Sequence, residues 1–214
     1  MQRVLERLNE KNLALNAGTC KFHMTQMDFM GLVLSDNDIG PAEDKVEARE
    51  LQSASEVRSF LGLANYNACF IPDFATVMEP LRRLTKQGVH FEFEEEQKNT
   101  FNELKRRLSS AETLGYFDKD AKTLIIADAS LVGLGEIRIQ EQQGRKRVIS
   151  YASKSLSAME RHYSQTEKEA LAVVWACERF HVYLYGIEFE LYTDHKPLET
   201  IYSSRSKPCA RIER

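Results

Sequence analysis

Residues 164–185 read SQTEKEALAVVWACERFHVYLY, and the architecture turns on how they pack. Their spacing predicts one long helix, whose middle, ALAVVWAC at 170–177, is apolar on every side. A helix without a polar face belongs in an interior, so this one should lie centrally against a sheet. The flanking sequence supplies that sheet. Upstream, residues 123–127, 134–140 and 148–151 follow the two-residue rhythm of strands, and their links are short enough for an antiparallel meander. Downstream, residues 188–193 form another strand, and Pro197 sits near the first turn of a further helix. The C-terminal half thus reads strand, strand, strand, helix, strand, helix, an α/β pattern.

The N-terminal half has a different rhythm. Val4, Leu5, Leu8 and Leu15 sit at helical spacing over residues 3–15, and Asn16-Ala17-Gly18 supplies a stop. An apolar run at 27–34, the turn residues Ser35-Asp36-Asn37-Asp38 and a short strand at 39–41 predict a hairpin. From residue 55 to about 68, Val57, Phe60, Leu61 and Ala64 mark a helix with Ser53 or Ser55 as its cap, and Pro72 ends it. Two more helices follow, at 75–86 with Pro80 near its centre and at 94–108. In the last, the acids come first and Lys105-Arg106-Arg107 come last, which suits the helix dipole.

Composition sets outer bounds. At 214 residues with 43% apolar and 29% charged, the chain has the balance of a globular protein rather than a disordered tail. Lys plus Arg number 29 against 32 Asp plus Glu, so any polyanion site must be local. Arg145-Lys146-Arg147 and the group Arg205, Lys207, Arg211 and Arg214 are such local clusters, although each alone is more often a solvated face. The four cysteines form no C-x-x-C pair, which argues against a zinc site or disulfide framework and for an intracellular setting, cytoplasmic or nuclear. Neither a signal-peptide core nor a membrane-spanning apolar run is present in the sequence.

Three acids stand where acids are awkward: Asp128 closing TLIIAD, Glu169 entering the apolar helix, and Asp194 closing EFELYTD. Strand ends that gather carboxylates build oxygen sites for divalent cations, because packed acids repel unless a cation compensates them. Taken singly, each has a plainer reading: Asp128 as a turn residue, Asp194 as a cap, Glu169 as a first-turn acid. Both Ser164-x-x-Glu167 and Thr166-x-x-Glu169 fit a capping box, and spacing does not choose between them. If Ser164 is the cap, Glu169 aligns with Ala172, Val173 and Ala176, an apolar stripe where a carboxylate needs a partner; this favours Glu169 as the ligand.

The segment YASKSLSAMERHYSQTEKEALAVVWACERFHVYLYG with FELYTDHKPLE resembles the ribonuclease H of gypsy-type LTR retrotransposon Pol polyproteins. IIADASLVGLGE looks like that family's first catalytic strand. SEVRSFLGLANY and FIPDFATVMEPLRRLTK resemble a reverse-transcriptase thumb, and FMGLVLSDNDIGPAEDKV resembles the hairpin ending the palm. The resemblance implies three parts: a palm end with a primer-grip-like hairpin at 1–45, a mainly helical thumb or connection at 46–112, and a ribonuclease H-like mixed sheet with helices at 113–214. It carries catalytic, metal-holding roles onto Asp128, Glu169 and Asp194. It also implies two Mg²⁺ ions, with Mn²⁺ as the alternative, and an RNA–DNA hybrid as substrate, cut to 5′-phosphate and 3′-hydroxyl ends. Ser130, Gln140, Tyr151 and His195 are expected along the nucleic-acid groove, and Phe29-Met30-Gly31 at the primer end. The remaining reverse-transcriptase and integrase parts of a polyprotein are the expected partners.

Departures from the family pattern shape a second expectation. No Tyr-x-Asp-Asp polymerase motif occurs, and the sequence stops before the family's last strand, last helix and fourth aspartate. Glu136 stands where relatives carry alanine, with Arg138 on the same strand face. If that face is buried, the two charges cost several kcal/mol unless they partly neutralise each other. The alternative is therefore a catalytically inactive, domesticated or decayed remnant that binds nucleic acid or a reverse-transcriptase partner.

Overall fold

The structure, a computed structural model, describes residues 2–16, 18, 20–42 and 49–201. It begins with α1, Gln2–Glu10, which is shorter than its apolar spacing predicts. Asn12 adopts a left-handed conformation at φ 53°, and the Leu13 N–H bonds the Leu8 carbonyl, closing the helix end. Leu15 therefore lies outside it.

The apolar run at 27–34 is not one strand. It divides into β1, Gln26–Phe29, and β2, Leu32–Ser35, around a two-residue turn. Met30 and Gly31 both take positive φ, 52° and 80°, as a tight hairpin turn demands, so Gly31 was the turn signal inside the run. The expected single hairpin is thus a meander, continued by β3, Asp38–Pro41.

Two longer helices and three short helical pieces build the first core. α2, Ala54–Tyr66, is capped by Ser53, whose hydroxyl accepts the Glu56 N–H. A 3₁₀ turn at Ala68–Phe70 follows. The helix expected at 75–86 is two pieces, α3 Phe74–Val77 and α4 Glu79–Arg83, because Pro80 is placed in the first turn of α4 and not in a helix interior. α5, Glu95–Ser109, opens with a capping box between Glu94 and Gln97. Val57, Phe60, Ile71, Leu81, Phe101 and Leu104 pack together, with the Phe60 and Phe101 ring centres 4.8 Å apart. A short β4, Leu114–Gly115, then pairs with β3 and makes the meander a four-stranded sheet.

The second sheet carries the C-terminal core. β5 Lys122–Ala129, β6 Gly133–Gln142 and β7 Arg145–Ser155 form the antiparallel meander, and β8 Phe189–Tyr192 lies parallel beside β5, in the order β7-β6-β5-β8. Across it lie α6, Gln165–Arg179, and α7, His181–Leu184; α8, Pro197–Ile201, follows β8. Residues 164–185 are therefore not one helix. The break falls at Phe180, whose ring is buried in the core beside Ile125, Ala172 and Ala176. Nor is α6 buried on every side: Ala172, Val173 and Ala176 face the sheet, while Val174 is 40% exposed. The apolar run is wider than the face the sheet can cover.

By register, Leu134, Glu136, Arg138 and Gln140 of β6 share a face with Ala129, Ala127, Ile125 and Thr123 of β5. All eight are buried. The partial neutralisation that Glu136 and Arg138 could have given each other is not realised as an ion pair among the described residues. The Arg138 guanidinium sits over the rings of Tyr183, Phe180 and Phe117, at 3.6, 5.0 and 5.4 Å from their centres. Both Glu136 carboxyl oxygens lack a hydrogen-bond partner among the described residues. Burial, with the Asp73 charge adding to it, pushes this carboxyl up to about 9.

Polar ties fasten the helical core to the second sheet. The Ala75 N–H donates to Ser153 Oγ at 2.9 Å, the Thr76 and Ser130 hydroxyls meet at 2.8 Å, and Arg161 Nη2 donates to the buried Glu79 at 2.8 Å.

Candidate metal centre

Parallel pairing of β5 and β8 brings their carboxyl ends side by side, the usual location of sites in α/β sheets. β5 ends in Asp128-Ala129, and Asp194 lies two residues past the end of β8. The third carboxylate comes from the start of α6. Ser164 is the N-cap: its hydroxyl accepts the Glu167 N–H at 3.3 Å, while Glu167 Oε2 accepts the Ser164 N–H at 2.9 Å. Glu167 is thereby used up in capping, and Glu169 turns inward with the stripe of Ala172, Val173 and Ala176.

Asp128, Glu169 and Asp194 each offer an oxygen within 4.8 Å of the others. Asp128 and Asp194 are exposed, whereas Glu169 is 3% exposed. At that separation, two like charges near a protein surface repel by about 3 kcal/mol before salt screening. Burial raises the Asp128 carboxyl, and the charges of Asp194 and Asp73 raise it further. Glu169 is likewise raised, first by burial and then by Asp128 and Asp194, against a lowering hydrogen bond from Gln165. That bond, from Gln165 Nε2 to Glu169 Oε1, is 2.6 Å long. Glu169 Oε2 is buried with no partner among the described residues. An all-oxygen donor set with one orphaned oxygen fits a hard divalent cation.

The other expected contact residues scatter. Gln140, expected in the groove, is fully buried: its carboxamide donates to the Asp118 carbonyl at 2.7 Å and to Thr123 Oγ1 at 3.0 Å, and accepts the Asp118 N–H. It brackets the chain entering β5, and the period-two face it shares with Leu134 foretold its burial. Ser130 Oγ accepts the N–H groups of Gly133 and Val132 and so shapes the β5–β6 turn. Tyr151 is half-buried on β7, two strands from Asp128. His195 is beside Asp194, its Nε2 2.9 Å from Thr166 Oγ1. Phe29 and Met30 are exposed at the tip of the first hairpin, where Tyr66 donates to the Met30 carbonyl at 2.7 Å. Of the basic clusters, Arg145 and Lys146 are exposed and Arg147 pairs with Asp38; Arg205, Lys207, Arg211 and Arg214 lie outside the described residues. Gln165 and Thr166 were not foreseen, although position 165 is one helical turn before Glu169 and so shares its face.

A mixed sheet crossed by a helix, with acids at the carboxyl ends of two neighbouring parallel strands and a third acid on that helix, defines a ribonuclease H-like fold. Residues 93–191 match the family described as the RNase H-like domain found in reverse transcriptase. The chain is 33% identical to the retrovirus-related Pol polyprotein from transposon opus of Drosophila melanogaster, covering 96% of this chain and 22% of that protein. It is 31% identical to the transposon Tf2-3 polyprotein of Schizosaccharomyces pombe, over 96% of this chain and 16% of that one. Among solved structures, the foamy viral protease-reverse transcriptase in complex with RNA/DNA hybrid superposes with TM-score 0.76 at 20% identity, covering 99% of this chain and 31% of that one. The dRH form with double-stranded DNA gives 0.78 at 21%, covering 92% and 36%. The chain is homologous to the Pol polyproteins of gypsy-type retrotransposons and spans about a fifth or less of the curated relatives it matches.

Proposed function

We propose that this chain hydrolyses the RNA strand of RNA–DNA hybrids, with Asp128, Glu169 and Asp194 holding two Mg²⁺ ions, or Mn²⁺ in their place. The convergence of three carboxylate oxygens within 4.8 Å carries this reading. Divalent ions, when bound, lower the pKa of a water and neutralise charge on the cleaved phosphodiester. The chain's own residues do the rest. Glu169 presents its orphaned oxygen from a buried, fixed helix turn, and Asp128 and Asp194 complete the donor set from two strand ends. His195 and Ser130 are near enough in sequence to those ligands to meet the RNA strand, where the 2′-hydroxyl distinguishes RNA from DNA. Tyr151 is a more distant contact. The exposed hairpin tip at Phe29-Met30-Gly31 suits contact with the primer strand. In this reading, 1–45 is a palm end, 46–112 a thumb and 113–214 the hydrolytic part, working beside other parts of a polyprotein. No Tyr-x-Asp-Asp motif is present, so the proposal covers hydrolysis alone.

Cleavage of a labelled hybrid in Mg²⁺, repeated with Asp128→Asn, tests this. Loss of cutting in the variant is expected, and equal cutting rejects the ligand set. The buried, unpartnered Glu136 favours a second reading, binding without cleavage. Hybrid affinity across a salt series with no cleavage at any Mg²⁺ concentration would select it.

A further inference from the structure

We propose that Gln165 is a positioning residue of the acidic centre, holding the Glu169 carboxylate in register with the strand that carries Asp128; this rests on the metal reading above. Its carboxamide nitrogen donates twice, to Glu169 Oε1 at 2.6 Å and to the Ala129 carbonyl at 2.8 Å. Both partners only accept, so the amide's NH₂ end is the group that can serve them. Ala129 follows Asp128 directly, so one amide ties the helix ligand to the end of β5. Thr166, the next residue, meets His195 Nε2 at 2.9 Å, beside Asp194. The first turn of α6 therefore reaches both strand ends.

Glu169 shows why such a tie matters. It is 3% exposed, and the residues one turn further along α6, Ala172 and Val173, offer it no side-chain hydrogen bond. Without Gln165, neither carboxyl oxygen would have a partner among the described residues, and repulsion from Asp128 and Asp194 would act on an untethered side chain. With it, Oε1 is fixed and Oε2 is left for a cation. Gln165 is itself exposed overall, so removing its amide leaves the core intact.

The test uses Gln165→Met, which keeps length and loses the donor. Calorimetric titration of the protein with Mn²⁺ should show affinity weakened roughly 10-fold, the usual scale for residues that orient metal ligands. kcat on the hybrid should fall while KM for the hybrid and the melting temperature stay near wild type. Unchanged Mn²⁺ affinity in the variant overturns the proposal. A metal-free readout separates this failure from that of the metal reading. By NMR relaxation the Gln165 side-chain amide of the wild-type protein should be as rigid as the backbone around it. A freely reorienting amide overturns the proposal whatever the metal does. Wild-type protein that binds no Mn²⁺, yet has a rigid Gln165 amide, sinks the metal reading and leaves the tie between α6 and β5 standing.

Discussion

One sheet holds two sets of awkward charges, and they meet different fates. At the carboxyl ends of β5 and β8, Asp128, Glu169 and Asp194 converge and leave an oxygen open. In the middle of β6, Glu136 and Arg138 are buried apart, one without a partner and the other stacked on aromatic rings. The acids are chemically alike, so position makes the difference. A strand end lets carboxylates from three elements approach one point open to solvent, where a cation can enter. The middle of a covered sheet surrounds each charge with apolar neighbours, so neutralisation must come from a proton or a ring face.

The sharpest way to break this comparison is Asp128→Asn. If the strand-end acids serve a metal, cleavage should fall by about 10³-fold, about 4 kcal/mol of transition-state stabilisation, while metal-free stability rises slightly as repulsion is relieved. Hybrid cleavage and denaturant unfolding read the two signs. Next in size is Glu136→Gln. Holding a carboxyl of raised pKa protonated at pH 7 costs about 3 kcal/mol, so the neutral isostere should stabilise the fold by about 2–3 kcal/mol without loss of cleavage.

The pH dependence sharpens the same point. Glu136 titrates at about 9 when folded and near 4.5, the ordinary value for a glutamate, when unfolded. Between those values the folded state keeps a proton that the unfolded state releases, so this group makes stability fall as pH rises from 4.5 to 9, with its full penalty present above 9. Urea midpoints across that range should slope downward in the wild-type protein and flatten in Glu136→Gln. The smallest effect belongs to Arg138→Met. Losing stacking on three rings offsets relief of a buried charge, so the change should stay within about 1 kcal/mol in either direction.

Much of this could be read in the sequence because it obeys local rules. The period-two strands and the acids closing two strands lie in short windows; the Ser164–Glu167 box was one of two that spacing allowed, and with Ser164 as the cap Glu169 falls on the inward stripe. What escaped depended on surroundings. Whether 27–34 was one strand or two rested on Gly31 adopting φ 80°. Phe180 breaks the long helix because the core accepts its ring there, which helical spacing cannot register. Gln140 was expected in the groove on polarity, but its alternation with Leu134 placed it inside. The double bond of Gln165 needed the end of β5 in view, since residue 129 is 36 positions away in sequence.

The hydroxyl pair of Thr76 and Ser130 has a mechanical consequence. Ser130 begins the turn two residues beyond Asp128, and Thr76 grips it from the helical segment. Load applied to that segment by a neighbouring body is thus delivered to the root of a ligand-bearing strand. Heating should accordingly melt both cores in a single endotherm, and freeing the sheet from its helical neighbour would remove one of the fastenings of its own acidic centre.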